Sequence, residues 1–339
     1  MTTATTTPET RSEYLTMAGW RRLFRDRPIV PLILLLGILI AIIAIIQPTI
    51  VNPGWFGVIL RAAIPLAILA ACQTLTFLTG GIDLSVGAVA SMSGFLVATL
   101  VGSQGLPVAI LLALVAATIA GLVTGIGVGV FRVHPLIMTL GMSLVVLGLA
   151  NVWQILMVQT GSGVPEELRW LGSTLLKLGG EDSQGIVPVS LVVFLPLALL
   201  ILFALRRTGY GRLLYAIGDN PIAARLSGAR AWQVVIVLYV ISALLAALAG
   251  FLISGLTNVA SVTLADSSVL PSVAAAVIGG TSIMGGRGGY GGTIVGALIL
   301  TVLIQLLTIL GLPEAVRQVL FGAIIVAVAA AYTRVTAES

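Results

Sequence analysis

The chain has 339 residues, 58% of them hydrophobic and only 9% charged, with a mean hydropathy of +1.15 and a formal net charge of +5. Such a composition cannot cover a water-soluble globule with polar surface, so the class is a helical membrane protein. Strand-sized alternating segments are absent, which argues against an outer-membrane barrel, and the basic residues cluster beside apolar runs, where they orient the chain and meet anionic lipid instead of nucleic acid.

The segment to residue 28 opens on a Thr-rich stretch expected to be disordered and carries Arg11, Arg21, Arg22, Arg25 and Arg27. The apolar run that follows reads as an anchor helix and not as a signal peptide, because no small-residue cleavage site follows it. Runs broken at Gly, Pro and charge give ten candidate spans, near 29–47, 58–79, 84–102, 108–131, 135–158, 187–205, 233–256, 269–284, 291–311 and 315–333. The eighth is short and Gly-rich, and either spans or is re-entrant. With the amino terminus in the cytoplasm, 13 of the 17 basic residues fall on the cytoplasmic side, leaving Arg61, Arg169, Lys177 and Arg317 elsewhere. The outer loop 159–186 carries Glu166, Glu167, Glu181 and Asp182, as the positive-inside rule expects. The expected fold is all-α, a polytopic bundle of about ten helices with both termini cytoplasmic. It comprises a tail over 1–28, a membrane domain over 29–333 and a tail over 334–339.

Several residues inside or beside these runs have a chemistry to explain. Cys72 stands alone in an apolar run and reads as a small core residue. Asp83, with Ser85 close by, follows two glycines at a span boundary. It caps a helix beginning at Leu84 or belongs to a solute or ion path, since acids near spans are costly. Gln73, Thr74, Thr76, Asn151, Gln154 and Gln305 are neutral hydrogen-bonding groups, suited either to lining a path for a hydroxyl-rich solute or to bonding helix to helix. Gly121, Gly125 and Gly129 repeat every fourth residue and allow close helix packing. His134 precedes Pro135 at a turn, without an acid or thiol partner. No catalytic cluster, metal set or nucleotide-binding loop is evident, and the Gly-rich run 279–292, with Arg287, reads as a tight turn between helices.

The basic island 206–232 holds Arg206, Arg207, Arg212, Arg225 and Arg230 against a single acid, Asp219. Its second half predicts a short helix, with Asp219 or Asn220 as cap, Pro221 at the first position and Gly228 at the end. A structured helix in a polar loop of a membrane protein suggests that a partner docks there.

Three segments in this order resemble one family: Thr79–Gly87 (TGGIDLSVG), Gly209–Gly228 (GYGRLLYAIGDNPIAARLSG) and Ala274–Gly288 (AAAVIGGTSIMGGRG). The family is the membrane-spanning permease subunits of bacterial ATP-binding-cassette importers for monosaccharides, the ribose, xylose, arabinose and galactofuranose group. The resemblance implies a multi-pass protein of the bacterial inner membrane, working as a dimer with a second copy or a paralogue. A separate ATPase subunit would bind the ATP and magnesium, so this chain carries no cofactor of its own, and an external sugar-binding protein would deliver the solute. It also implies that Gly218, Asp219, Asn220, Pro221, Ala223, Ala224, Arg225, Leu226, Ser227 and Gly228 couple the permease to the ATPase. Two positions depart from the family's usual pattern: Val269-Leu270-Pro271 stands for Glu-Leu-Asp, and Leu147-Gly148 for Arg-Gly, which widens the range of solutes. The contrasting class is a stand-alone secondary transporter or passive sugar facilitator, distinguished by whether uptake needs ATP hydrolysis by a partner.

Overall fold

Helices begin where the sequence offers a cap or a proline. The Asn52 side chain accepts from Trp55 N at 3.0 Å and Pro53 takes the first helical position. A computed structural model describes residues 29–157, 163–177, 185–313, 315–320 and 322–323. The amino-terminal arginines, Glu181, Asp182 and Arg334 lie outside them.

Helices α1 (Ile29–Ile46), α2 (Pro53–Leu78), α3 (Val86–Gln104), α4 (Leu106–Gly129) and α5 (Pro135–Met157) follow one another through short turns. Next come a short α6 (Glu166–Ser173), a hairpin of β1 (Leu175–Lys177) and β2 (Gly185–Pro188), and α7 (Leu191–Arg207). Helix α8 (Gly209–Asp219) is bent 66° from α7 and leads into α9 (Pro221–Leu226) and the long α10 (Ala231–Thr257). A 3-10 turn (Asp266–Ser268) precedes α11 (Val269–Ile278), and α12 (Tyr290–Ile309) follows.

Among the described residues, seven helices are long and apolar enough to cross a membrane, or eight if the bent α7–α8 pair is one span. The chain is thus an all-α polytopic membrane protein apart from the small hairpin. The eighth candidate, 269–284, left open between a span and a re-entrant segment, is a helix of only 10 residues, because the chain leaves it at Gly279 and Gly280 turns left-handed at φ +85°. The described residues of the loop 159–186 form α6 and the hairpin. Of the tenth span, residues 315–320 and 322–323 are helical and the remainder lies outside the described residues.

Helix α10 is the mast of the bundle, packed against α2, α3, α4 and α6. Its contact with α4 is nearly backbone to backbone. A Cβ on Gly121 would meet Tyr239 O at 2.6 Å, on Gly125 Ile236 Cα at 2.7 Å, and on Gly129 Trp232 O at 2.8 Å. Small residues therefore let dispersion act over the whole seam, as their spacing indicated. At the end away from the basic loop, Gly255 of α10 lies against the Leu168 carbonyl of α6, and Arg61 of α2 donates to the Ser173 carbonyl. Helices α2, α3 and α10 form the buried core, whereas α4, α5 and α7 turn wide apolar faces outward.

Candidate functional site: a polar knot, a half-helix cavity and a glycine junction

After Leu78 the chain does not step directly into α3. Gly80 at φ +75° sends residues 79–85 back into the bundle, and Gly81 fits between Tyr239 Oη and Pro135. Asp83 is thereby buried, 2% exposed. Its Oδ1 accepts from Ser85 N at 3.0 Å and Ser85 Oγ at 2.6 Å, and its Oδ2 accepts from Ser242 Oγ of α10 at 2.7 Å. Gln73 Nε2 donates to the Asp83 carbonyl at 2.7 Å while Gln73 Oε1 accepts from Asp83 N. The helix-cap expectation for Asp83 is corrected: α3 starts at Val86, two residues beyond Leu84, with Ser85 in the cap position. The carboxylate instead ties the re-entering loop to α10 and satisfies donors that burial would otherwise strand.

Other polar candidates separate in space. Thr74 Oγ1 lies 2.9 Å from Ala70 O and 2.7 Å from Thr293 Oγ1 of α12, and Thr76 Oγ1 donates to Cys72 O at 3.0 Å; both threonines are fully buried. Asn151 and Gln154 lie exposed on α5, where Asn151 Nδ2 donates to Leu147 O of its own helix at 2.8 Å. Cys72 is buried in the core, and His134 is exposed at the turn. Among the described residues no group of three or more His, Cys, Asp or Glu is placed to hold a metal.

Gln305 lies in a different setting. After α10 ends at Thr257, the chain comes back along the bundle without helix until Ala265 N donates to Ser91 Oγ of α3 at 2.8 Å. Only then do the 3-10 turn and α11 carry it to the basic end. Irregular backbone inside such a bundle is tolerated where it is buried in protein or lines a polar cavity. Here it borders a cavity of about 560 Å3, with Asp266, Ser267 and Ser268 on one side and Thr301 and Gln305 of α12 on another. Val58 and Ala62 of α2 and Leu270 and Pro271 of α11 supply apolar wall. A few hydrogen-bonding groups on an apolar surface are the usual make-up of a small-molecule site. The sequence reading missed Asp266, Ser267, Ser268 and Thr301. The available signal was an Asp-Ser-Ser triplet placed just before an apolar run too short to span.

The third feature sits at the basic end. Thr208 Oγ1 accepts from Gly211 N at 3.1 Å and starts α8, whose Gly211, Leu214 and Ile217 are buried. Asn220, and not Asp219, caps α9: its Oδ1 accepts from Ile222 N and Ala223 N, each at 3.0 Å. Gly228 then turns left-handed at φ +87°, and the Ala224 carbonyl accepts from Ala229 N at 3.1 Å. Gly218 lies directly on the Leu78 carbonyl, which also accepts from Gly286 N at 3.1 Å. Tyr215 Oη donates to the Gly288 carbonyl at 2.9 Å. The ends of α2, α8 and the glycine turn after α11 thus meet at one carbonyl oxygen, with no side chain between them.

A family profile described as the permease component of branched-chain amino acid transport systems matches residues 56–329. The chain belongs to that permease family. It is 33% identical over 302 residues to the fructose import permease protein of Rhizobium meliloti, covering 88% of this chain and 82% of the relative. It is 34% identical over 291 residues to the ribose import permease protein of Bacillus subtilis, covering 86% and 88%. It is 32% identical over 272 residues to the galactofuranose transporter permease protein of Escherichia coli, covering 80% and 77%. No solved structure matches. The permease's glycine junction, its basic loop and its half-helix cavity all lie within the matched region.

Proposed function

We propose that the permease is the membrane-spanning subunit of an ATP-binding-cassette importer that moves a sugar or sugar-like solute across the bacterial inner membrane. The observation that carries this reading is the similarity, along most of both chains, to import permeases for fructose, ribose and galactofuranose. On this reading the chain spans about ten times with both termini cytoplasmic, and a membrane domain over 29–333 lies between the tails 1–28 and 334–339. It pairs with a second copy or a paralogue, receives solute from an external binding protein and rests on an ATPase that binds ATP and magnesium.

Residues 218–228 would couple the two machines. Ile222 and Leu226 of α9 are 67% and 85% exposed, apolar knobs of the kind that seat in a partner's groove. Closure of the ATPase would push α9, and the junction at Leu78 would pass that movement through Gly286 to α11, whose other end borders the cavity. In the cavity the hydroxyl and amide groups of Ser267, Ser268, Thr301 and Gln305 would meet solute hydroxyls, while Leu270 and Pro271 would face its less polar edge.

ATP hydrolysis in liposomes holding the permease, its ATPase and a binding protein loaded from a panel of pentoses, hexoses and polyols tests the reading. Stimulation by one loaded binding protein supports the importer; sugar flux without ATP, in a chain that associates with no ATPase, establishes the facilitator instead. Ala224→Glu, which forces a charge under α9, is expected to preserve folding and ATPase binding but uncouple hydrolysis from uptake. Normal uptake by that variant removes the coupling role. Gln305→Leu with Thr301→Val is expected to raise the half-saturating solute concentration about tenfold, the equivalent of one or two lost hydrogen bonds, with basal ATPase activity unchanged. An unaltered concentration dependence places the solute elsewhere.

A further inference from the structure

Beside the docking loop, the last turn of α4, the exit at 130–132, α9 and the first turn of α10 enclose a cavity of about 670 Å3. Its wall carries Arg132, Arg225, Arg230 and Trp232 over an apolar floor of Val128 and Val235, and no carboxylate lines it. All three arginines are exposed, and among the described residues none of them has an acidic partner. Arg225 Nε donates to the Pro221 carbonyl at 3.1 Å, which holds the side chain along α9. Arg132 holds a left-handed backbone at φ +56°, a conformation unfavourable for a residue with a side chain, so the surrounding turn places it there against its own preference.

The apolar side of this cavity continues onto the outward face of α4. Val130 and Phe131 are 50% and 74% exposed at the end of that helix, and Trp232 is 47% exposed at the start of α10. Guanidinium groups with an indole at the end of lipid-facing helices match a phosphate on one side and acyl chain on the other. The two functions of α9 fall on different faces. Pro221 and Arg225, one turn apart, line this cavity, whereas Ile222 and Leu226 project away from the bundle.

We propose that this cavity binds an anionic phospholipid, its headgroup phosphate held by Arg132, Arg225 and Arg230 and its acyl chains lying along α4. A lipid so placed bridges α4, α9 and α10, and its occupancy sets how firmly the docking helix is held to the bundle. The lipid site itself needs only that the chain lies in a bilayer; its effect on the docking helix rests on the coupling role proposed above.

The test uses the full-length permease, with native mass spectrometry of retained lipid in mixtures of phosphatidylglycerol and phosphatidylcholine. The wild type is expected to prefer phosphatidylglycerol at least about tenfold, since three arginines face its net negative headgroup. Substituting Arg132→Gln, Arg225→Gln and Arg230→Gln together abolishes the preference. Substituting Arg206→Gln, Arg207→Gln and Arg212→Gln, the same loss of charge outside the cavity, preserves it. Thermal unfolding in phosphatidylcholine alone shows both variants folded, and phosphatidylglycerol raises the midpoint only where the cavity arginines remain. Equal loss of preference in both triple variants overturns the site in favour of diffuse charge. Equal stabilisation by inorganic phosphate makes it a free-phosphate site and overturns the lipid. Unchanged lipid preference with lost ATPase association assigns the cavity to the partner interface and overturns the lipid as well.

Discussion

Gly218→Val lowers ATP-driven uptake at least about tenfold, while the protein remains folded and able to bind its ATPase. The basis is the contact at the Leu78 carbonyl, where a side chain on Gly218 has nowhere to go: Gly286 N lies 2.6 Å from the position of a Cβ, and Leu78 O is closer still. Both neighbours are backbone, so no rotamer change relieves the clash and α8 must move away. Overpacking of this kind costs roughly 1–3 kcal/mol. That is small against the stability of a large bundle, but it separates α8 from the glycine turn that leads to α11. Gly209→Ala is the control, since a Cβ there meets nothing nearer than Arg212 Nη2 at 3.9 Å. Uptake and ATPase rates measured side by side in proteoliposomes distinguish the outcomes. Uptake at the wild-type rate in Gly218→Val would show that the junction transmits nothing.

Asp83→Ala is expected to destabilise the permease by several kcal/mol. The substitution leaves Ser85 N, Ser85 Oγ and Ser242 Oγ without their acceptor in a fully buried setting. A stranded buried donor costs about 1–3 kcal/mol, and three such groups share one cavity. Asp83→Asn keeps one acceptor oxygen and is expected to lose roughly half as much, and Ser242→Ala, which strands a single carboxylate oxygen, less again. Thermal unfolding of the three variants in detergent orders them. An Asp83→Ala protein as stable as the wild type, but inactive in uptake, would return the carboxylate to the solute path.

The two features behind these predictions differ in how much of them the sequence discloses. The start of α9 is local: Asn220 and Pro221 stand where a cap and a first helical residue belong, and Asn220 Oδ1 makes both capping contacts. The packing of α4 is local too, because Gly121, Gly125 and Gly129 share one face. Asp83 was visible as an unusual acid, but its partner Ser242 lies 159 positions away, and nothing in the residues around it names that partner. The cavity is hidden for the same reason, since Ser267 and Gln305 meet only once the irregular stretch after α10 has come back along the bundle. Hydropathy reports which segments avoid water. It is silent on a segment that enters the bundle as irregular backbone and turns helical only partway across, and so it extended α11 to residue 284.

The shortness of α11 also bears on how the protein is made. A helix of 10 residues is about half of what a bilayer core requires, and the stretch before it has backbone groups that hydrocarbon cannot satisfy. The segment therefore cannot be released into lipid from the insertion machinery by itself. It must wait until α2, and α12 which is synthesised after it, offer a protein surface against which to settle. Chains interrupted between residues 279 and 289 would hold 258–278 accessible to protease, and extension through α12 would close it off. In biogenesis, then, the cavity is completed late, once α12 and the residues around Arg317 and Gln318 that follow it have closed its remaining walls.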